Sequence, residues 1–97
     1  MRYFVHLFAL LLLTGCLLQA GGGEEKLGAI LPLTGDLAVY GRNIQRGMEL
    51  AVDEINAQGG MNGKALKVVY EDDGGRSVNT ISAMNKLLDL DRVPAVI

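Results

Sequence analysis

Residues 29–64, AILPLTGDLAVYGRNIQRGMELAVDEINAQGGMNGK, constrain this chain more than any other stretch. They open on a short apolar run that Pro32 stops, because proline has no amide to donate to a strand ladder. A turn-rich loop follows, punctuated by Gly35, Asp36 and Gly41. Then Ile44, Met48, Ala51 and Ile55 recur at spacings of three and four, which places them on one face of a helix. Gly59-Gly60 ends that helix, since glycine takes the left-handed conformation a helix C-terminus needs. Strand, loop, amphipathic helix and glycine stop make the first half of a βαβ unit. An α/β fold is the class this order allows.

The remainder continues the alternation. Residues 26–31 form the first strand, apolar nearly throughout, as a parallel strand covered on both faces should be. The first helix is expected over residues 42–58, with Arg42, Arg46, Glu49, Asp53 and Glu54 on a solvated face. Gly47 within it costs roughly 1 kcal/mol relative to alanine, so a close approach of helix to sheet is expected there. Met61-Asn62-Gly63-Lys64 is a turn, residues 66–70 a second strand, and Glu71-Asp72-Asp73-Gly74-Gly75 the loop at its carboxyl end. Ser77 is the expected N-cap of a second helix whose core face is Ile81, Met84, Leu87 and Leu88. Asp89-Leu90-Asp91-Arg92-Val93 closes that helix, and Ala95-Val96-Ile97 starts a third strand. The pattern is β-α-β-α-β, and right-handed crossovers arrange it as a parallel sheet in the order 2-1-3. Because residues 94–97 read as a buried strand with no turn after them, the chain is expected to be a truncated piece, marginal in stability by itself.

Residues 1–15 carry the marks of an export signal: Arg2, then an apolar run over residues 4–13 broken only by His6. That run falls short of the roughly 20 apolar residues a membrane-spanning helix needs. Leu13-Thr14-Gly15-Cys16 matches the lipobox of bacterial lipoproteins. The match implies cleavage before Cys16 and a diacylglyceryl group on its sulfur. Cys16 is the chain's one cysteine, so it cannot form an internal disulfide, and acylation accounts for an unpaired thiol in an exported protein. Residues 16–25, with the run Gly21-Gly22-Gly23, then form a flexible tether, and residues 26–97 the folded part.

Several function classes are excluded. The formal net charge of −2 and the scarcity of aromatics leave no basic, stacking surface for nucleic acid. Residues 59–65 superficially resemble a phosphate-binding P-loop but fail on glycine spacing, have Ala65 where a hydroxyl should hold magnesium, and follow a helix. The chain's one histidine lies in the signal, so Thr34, Ser77, Thr80 and Ser82 have no partner for a catalytic triad. Glu71, Asp72 and Asp73 point in alternating directions at a strand end and are expected to cap a turn or face solvent, not to hold a metal. No enzyme activity and no cofactor is expected.

The loop over residues 32–41 is the site candidate. It leaves the carboxyl end of the first strand and enters a helix N-terminus, where amide groups favour an anionic group. In a 2-1-3 sheet it also borders the strand-order reversal where α/β proteins bind ligands. The segments PLTGDLAVYG, GMELAVDEINAQGGMNGKAL and VVYEDDGG, in this order and spacing, resemble the N-terminal lobe of bacterial extracellular solute-binding proteins. The subfamily is the leucine/isoleucine/valine-binding one that feeds ABC importers, and the resemblance runs over residues 26–97. It implies a type I periplasmic binding fold in which two α/β lobes close on a small polar ligand and deliver it to a membrane permease. It also implies that the aromatic residue before the helix-start glycine, here Tyr40, meets the ligand from the cleft lip. Thr34, Gly35 and Asp36 complete the expected ligand-binding set.

Two departures stand out. Family members commonly carry a disulfide cysteine near the position of Gly75, which is absent here. They often have Asp-Pro where this chain has Arg76-Ser77, which moves the expected cap to Ser77. The family's carboxylate-gripping loop after the third strand and its second lobe lie beyond residue 97. Two alternatives stay open: a ligand-binding sensor domain of a receptor or amide/amino-acid response regulator, and an inactive truncated fragment. The lipobox favours transport at the extracytoplasmic face.

Overall fold

Strand β1 (Glu24–Leu31) is the middle strand of a parallel sheet in the computed structural model, which describes residues 23–97. The expected export signal, Cys16 and all but the last residues of the expected tether lie outside the described residues. On one edge β1 pairs in parallel with β2 (Ala65–Asp72), in a register running from Glu24 opposite Ala65 to Leu31 opposite Asp72. On the other edge the Gly28 amide donates to the Ala95 carbonyl and the Ile97 amide to the Gly28 carbonyl, both at 2.9 Å. The Ile30 amide donates to Ile97 at the same distance, and Gly28 and Val96 form a parallel bridge. The strand order 2-1-3 is therefore the one expected. Strand β1 starts two residues before Lys26, so Glu24 and Glu25 belong to the sheet and not to the tether.

Helix α1 (Ala38–Ala57) and helix α2 (Ser77–Asn85) each pack on both strands, and α2 continues into a π-helical turn over Lys86–Leu90. They cover opposite sheet faces. Side chains alternate along a strand: Leu66, Val68 and Tyr70 face Val52 of α1, whereas a Cβ at Gly28 would meet Leu87, Val93 and Val96. The buried apolar residues among those described are Ala29, Leu31, Leu66, Ala83, Leu87 and Val93.

Local chemistry sets the element ends. Pro32 follows β1 directly. After α1, Gly59 and Gly60 take φ of +105° and +78°, and the Gly60 amide reaches back to the Ile55 carbonyl at 2.9 Å. Asn62 and Gly63 are both at positive φ, 52° and 76°, the conformation of a tight two-residue turn. Met61 and Lys64 close it with reciprocal backbone bonds of 2.8 and 2.9 Å. Asn56 on the last full turn of α1 fastens helix to sheet: its side chain receives the Leu66 amide at 2.7 Å and donates to the Leu66 carbonyl at 3.0 Å.

Five expectations are corrected. Helix α1 begins at Ala38, not Arg42, because the turn closed by the Ala38 amide on Gly35 leads straight into it. Its inward line is Gly41, Gln45, Met48, Val52 and Ile55, with Ile44 half exposed and Ala51 exposed. Gly47 meets nothing; the close approach is at Gly41, where an added Cβ would fall 2.6 Å from the Pro32 carbonyl carbon. That contact sets the helix's rotation. In α2 and its π-helical continuation, Ala83 and Leu87 are buried while Ile81 is 65% exposed and Leu88 48%. Ser77 is the first helical residue and caps nothing: the preceding Arg76 is extended and no side chain bonds the helix start.

Candidate functional site: the loops at the carboxyl end of the sheet

Two loops leave the carboxyl ends of β1 and β2, and one carboxylate joins them. Asp72, the last residue of β2, accepts from the Leu33 amide at 2.8 Å and the Thr34 amide at 3.3 Å. It also accepts from the Thr34 hydroxyl at 2.6 Å and from the Gly74 amide at 2.8 Å. These bonds, the Thr34 hydroxyl and Gly74 amide foremost, hold its carboxyl below the usual aspartate range, so it is ionised at neutral pH. The loops also touch through backbone. Gly35 has φ of +81° and Gly74 of +60°, and a Cβ at Gly35 would stand 3.2 Å from the Gly74 carbonyl oxygen. A side chain at Gly35 would press on that carbonyl, whereas at Gly74 a Cβ would make ordinary contacts and only the positive φ favours glycine.

From the other side, α1 reaches back to the loop it follows. The Arg42 Nε donates to the Leu33 carbonyl at 3.4 Å, and Gly41 lets the first turn lie against Pro32. In that first turn the Ala38 amide bonds to Gly35, and the Tyr40 and Gly41 amides bond to Leu37. The helix start is thus partly satisfied by its own turn, and fewer amides than expected face an incoming anion.

The four residues read from sequence as ligand contacts are brought to this end of the sheet, in different settings. Tyr40 stands on the first turn of α1 with 67% of its surface exposed. Thr34 is exposed, with its hydroxyl committed to Asp72. Gly35 and Asp36 line an open groove of about 460 Å³ with Leu37, Gly74, Gly75 and Arg76. That groove lies between the loops after β1 and β2, on the opposite side of β1 from the strand-order reversal between β1 and the Ala95–Ile97 segment. Tyr40 and Thr34 do not line it.

The three carboxylates after Tyr70 divide their work. Glu71 pairs with the Lys86 ammonium, whose pKa this contact raises. Asp73 accepts from the Gly75 amide and from the Thr80 hydroxyl, each at 2.8 Å, and so ties the loop to α2. Turn capping, the expected role, is what Asp72 and Asp73 perform. The long-range bonds of Asp72 to Leu33 and Thr34 are the part that sequence reasoning missed. An aspartate before Gly-Gly signals a local turn, and nothing local signals a partner 38 residues away. Among the described residues, no group of three or more His, Cys, Asp or Glu side chains is arranged to hold a metal ion.

The chain is similar to known proteins. A family model described as periplasmic binding protein matches residues 24–97. A Leu/Ile/Val-binding protein homologue of Brucella abortus is 44% identical over 77 residues, covering 75% of this chain and 21% of its own length. The structure of a branched-chain amino acid transporter substrate-binding protein from Streptococcus pneumoniae, in complex with isoleucine, superposes with a TM-score of 0.72 at 40% identity. The match covers 75% of this chain and 21% of that one. A fatty acid ABC transporter substrate-binding protein from Thermomonospora curvata gives a TM-score of 0.71 at 30% identity, over 76% of this chain and 18% of its own. The chain spans about a fifth of the length of the curated relatives it matches. With β1 paired in parallel to β2 on one edge and bridged to Ala95–Ile97 on the other, and with its loops gathered at the carboxyl edge, the chain belongs to the periplasmic binding protein family and holds the opening strands and helices of the type I fold.

Proposed function

We propose that the protein carrying this segment is an extracytoplasmic solute-binding protein that captures a small polar ligand, foremost a branched-chain or other aliphatic amino acid, for an ABC importer. In this reading Cys16 is lipidated and tethers the binding domain to the membrane, and the permease in that membrane is the partner. No cofactor and no catalytic step is involved. The reading rests chiefly on one observation. The loop over residues 32–37 leaves the middle strand of a 2-1-3 sheet, where β1 pairs with β2 on one side and with Ala95–Ile97 on the other. In α/β folds ligands bind at the carboxyl end of such a strand, and Tyr40, on the first turn of the helix that this loop enters, is exposed. The relatives' descriptions, Leu/Ile/Val-binding and isoleucine-bound, support an aliphatic amino acid. Tyr40, Thr34, Gly35 and Asp36 are this chain's contribution, and the rest of the site comes from sequence beyond Ile97.

An aromatic ring at the lip can cover an aliphatic side chain while its hydroxyl stays in water. Burying some tens of Å² of ring is worth about 1–2 kcal/mol at roughly 25 cal/mol per Å². Tyr40→Ala in the full-length protein is therefore expected to weaken L-isoleucine binding about tenfold, measured by calorimetric titration, with little change in melting temperature. Unchanged affinity with a lowered melting temperature makes Tyr40 a packing residue and removes it from the site. The anchor is tested separately, by metabolic labelling with a clickable fatty acid. Wild type is expected to label and Cys16→Ser not to; equal labelling of both ends the lipoprotein reading.

A further inference from the structure

The loop that would carry the ligand contacts has little packing of its own: Thr34, Gly35, Asp36 and Leu37 are all exposed. A segment this exposed needs polar ties to keep one conformation. Most of those ties converge on a single side chain. Asp72 sits on the neighbouring strand, 39 residues from Leu33 in sequence, yet it takes the Leu33 amide, the Thr34 amide and the Thr34 hydroxyl. Its fourth bond, from Gly74, holds its own loop in the turn that backs onto Gly35. The other ties are Arg42 on the Leu33 carbonyl, longer at 3.4 Å, and the local bond from the Ala38 amide to Gly35.

We propose that Asp72 is a positioning residue for ligand capture. It touches no ligand, but sets the conformation of residues 33–36 and, through them, the place of Tyr40 at the lip. The inference rests on the ligand reading of that loop given above. It also moves Thr34 to a different role, in which its hydroxyl serves Asp72 and not the ligand. A ligand-binding protein gains affinity when its contact residues are already placed before the ligand arrives, because ordering them on binding subtracts from the binding energy. A mobile loop forfeits that advantage.

The experiment is a set of variants in the full-length protein, titrated with L-isoleucine and followed by amide hydrogen exchange. Asp72→Ala removes all four bonds and is expected to weaken affinity about tenfold, since bonds to a charged acceptor are the stronger kind. Exchange at the Leu33, Thr34 and Gly74 amides should accelerate while the amides of β1 stay protected. Asp72→Asn keeps one oxygen acceptor for Leu33 and Gly74, and its amide can donate to the Thr34 oxygen, so it should restore affinity to within about threefold of wild type. Thr34→Val should weaken binding on the wild-type background and add nothing to Asp72→Ala, because the two then act through one interaction. Full additivity would mean that Thr34 serves the ligand directly and would overturn the assignment. So would an Asp72→Ala protein that binds normally while Tyr40→Ala is impaired. If Tyr40→Ala and Asp72→Ala both bind normally, the ligand reading of the loop itself has failed. Should Asp72→Ala not fold, Thr34→Val and Asp72→Asn still decide the question through the same exchange and affinity readouts.

Discussion

The two faces of the sheet are closed by different devices. Under α2 the glycine is in the strand: Gly28 has no side chain, and Leu87, Val93 and Val96 fill the space a Cβ there would enter, at 3.0 to 3.2 Å. Leu87 is fully buried as a result, at 0% exposure. Under α1 the glycine is in the helix: Gly41 lies against the Pro32 backbone at one end, and Asn56 clamps Leu66 at the other. Between those two fastenings the fit is loose. A cavity of about 200 Å³ opens among Glu49, Val52, Asp53, Leu66, Lys67, Val68 and Tyr70. The Tyr70 hydroxyl is buried there without a hydrogen-bond partner among the described residues, and its pKa is raised by that burial first and by the Glu49 charge second. Both faces bury apolar side chains, Ala29, Leu31 and Leu66 on the α1 side and Ala83, Leu87 and Val93 on the α2 side. The α1 side, however, leaves its middle open and adds a backbone contact and a polar clamp at its two ends. The face with the looser middle carries the helix that presents Tyr40.

If that contrast is right, the largest loss should come from the packed face. Leu87→Ala leaves a cavity against Gly28 and should lower stability by roughly 2–5 kcal/mol, whereas Ile81→Ala, on the exposed side of the same helix, should change it by less than about 0.5 kcal/mol. Urea denaturation of the full-length protein measures both. Similar losses for the two would mean that Ile81 is covered and the inward face has been assigned to the wrong residues.

A glycine series sharpens the comparison. Gly41→Ala drives a methyl into the Pro32 backbone, which cannot rotate away, so a loss of about 3 kcal/mol is expected. Gly28→Ala meets only the ends of side chains, which can give, and should cost about 1–2 kcal/mol. Gly47→Ala, in open space within α1, should stabilise by about 0.5–1 kcal/mol through helix propensity. A stabilising Gly41→Ala would break the account of how α1 is seated. The smallest effect belongs to the loose face. Tyr70→Phe removes a buried hydroxyl that has no partner, so stability should hold or rise by up to about 1 kcal/mol, against the usual loss for a buried tyrosine. A clear loss in the same denaturation assay would show that the hydroxyl is bonded after all.

Much of the fold was legible because its signals are local. Pro32 ends a strand wherever it stands, Gly59-Gly60 ends a helix through positive φ, and Asn62-Gly63 makes a tight turn for the same reason. The alternation of apolar strands with amphipathic helices set the α/β class and the strand order, since parallel strands need crossovers. Errors arose where a helix had more apolar residues than one face can bury. Ile44 and Ile81 have helical spacing, yet the side that turned inward was chosen by the seating of Gly41 on Pro32 and of Leu87 on Gly28. Gly47 and Gly41 look equivalent in a sequence; only the approach of another chain segment separates them. The candidate site divides in the same way. The sequence by itself determined that a turn-rich loop leading to Tyr40 follows the first strand at the carboxyl edge of the sheet. Tertiary structure alone decided that Asp72 holds that loop and that the Thr34 hydroxyl is spent on it, because hydrogen bonds between residues 38 apart depend on strand register and leave no periodicity to read.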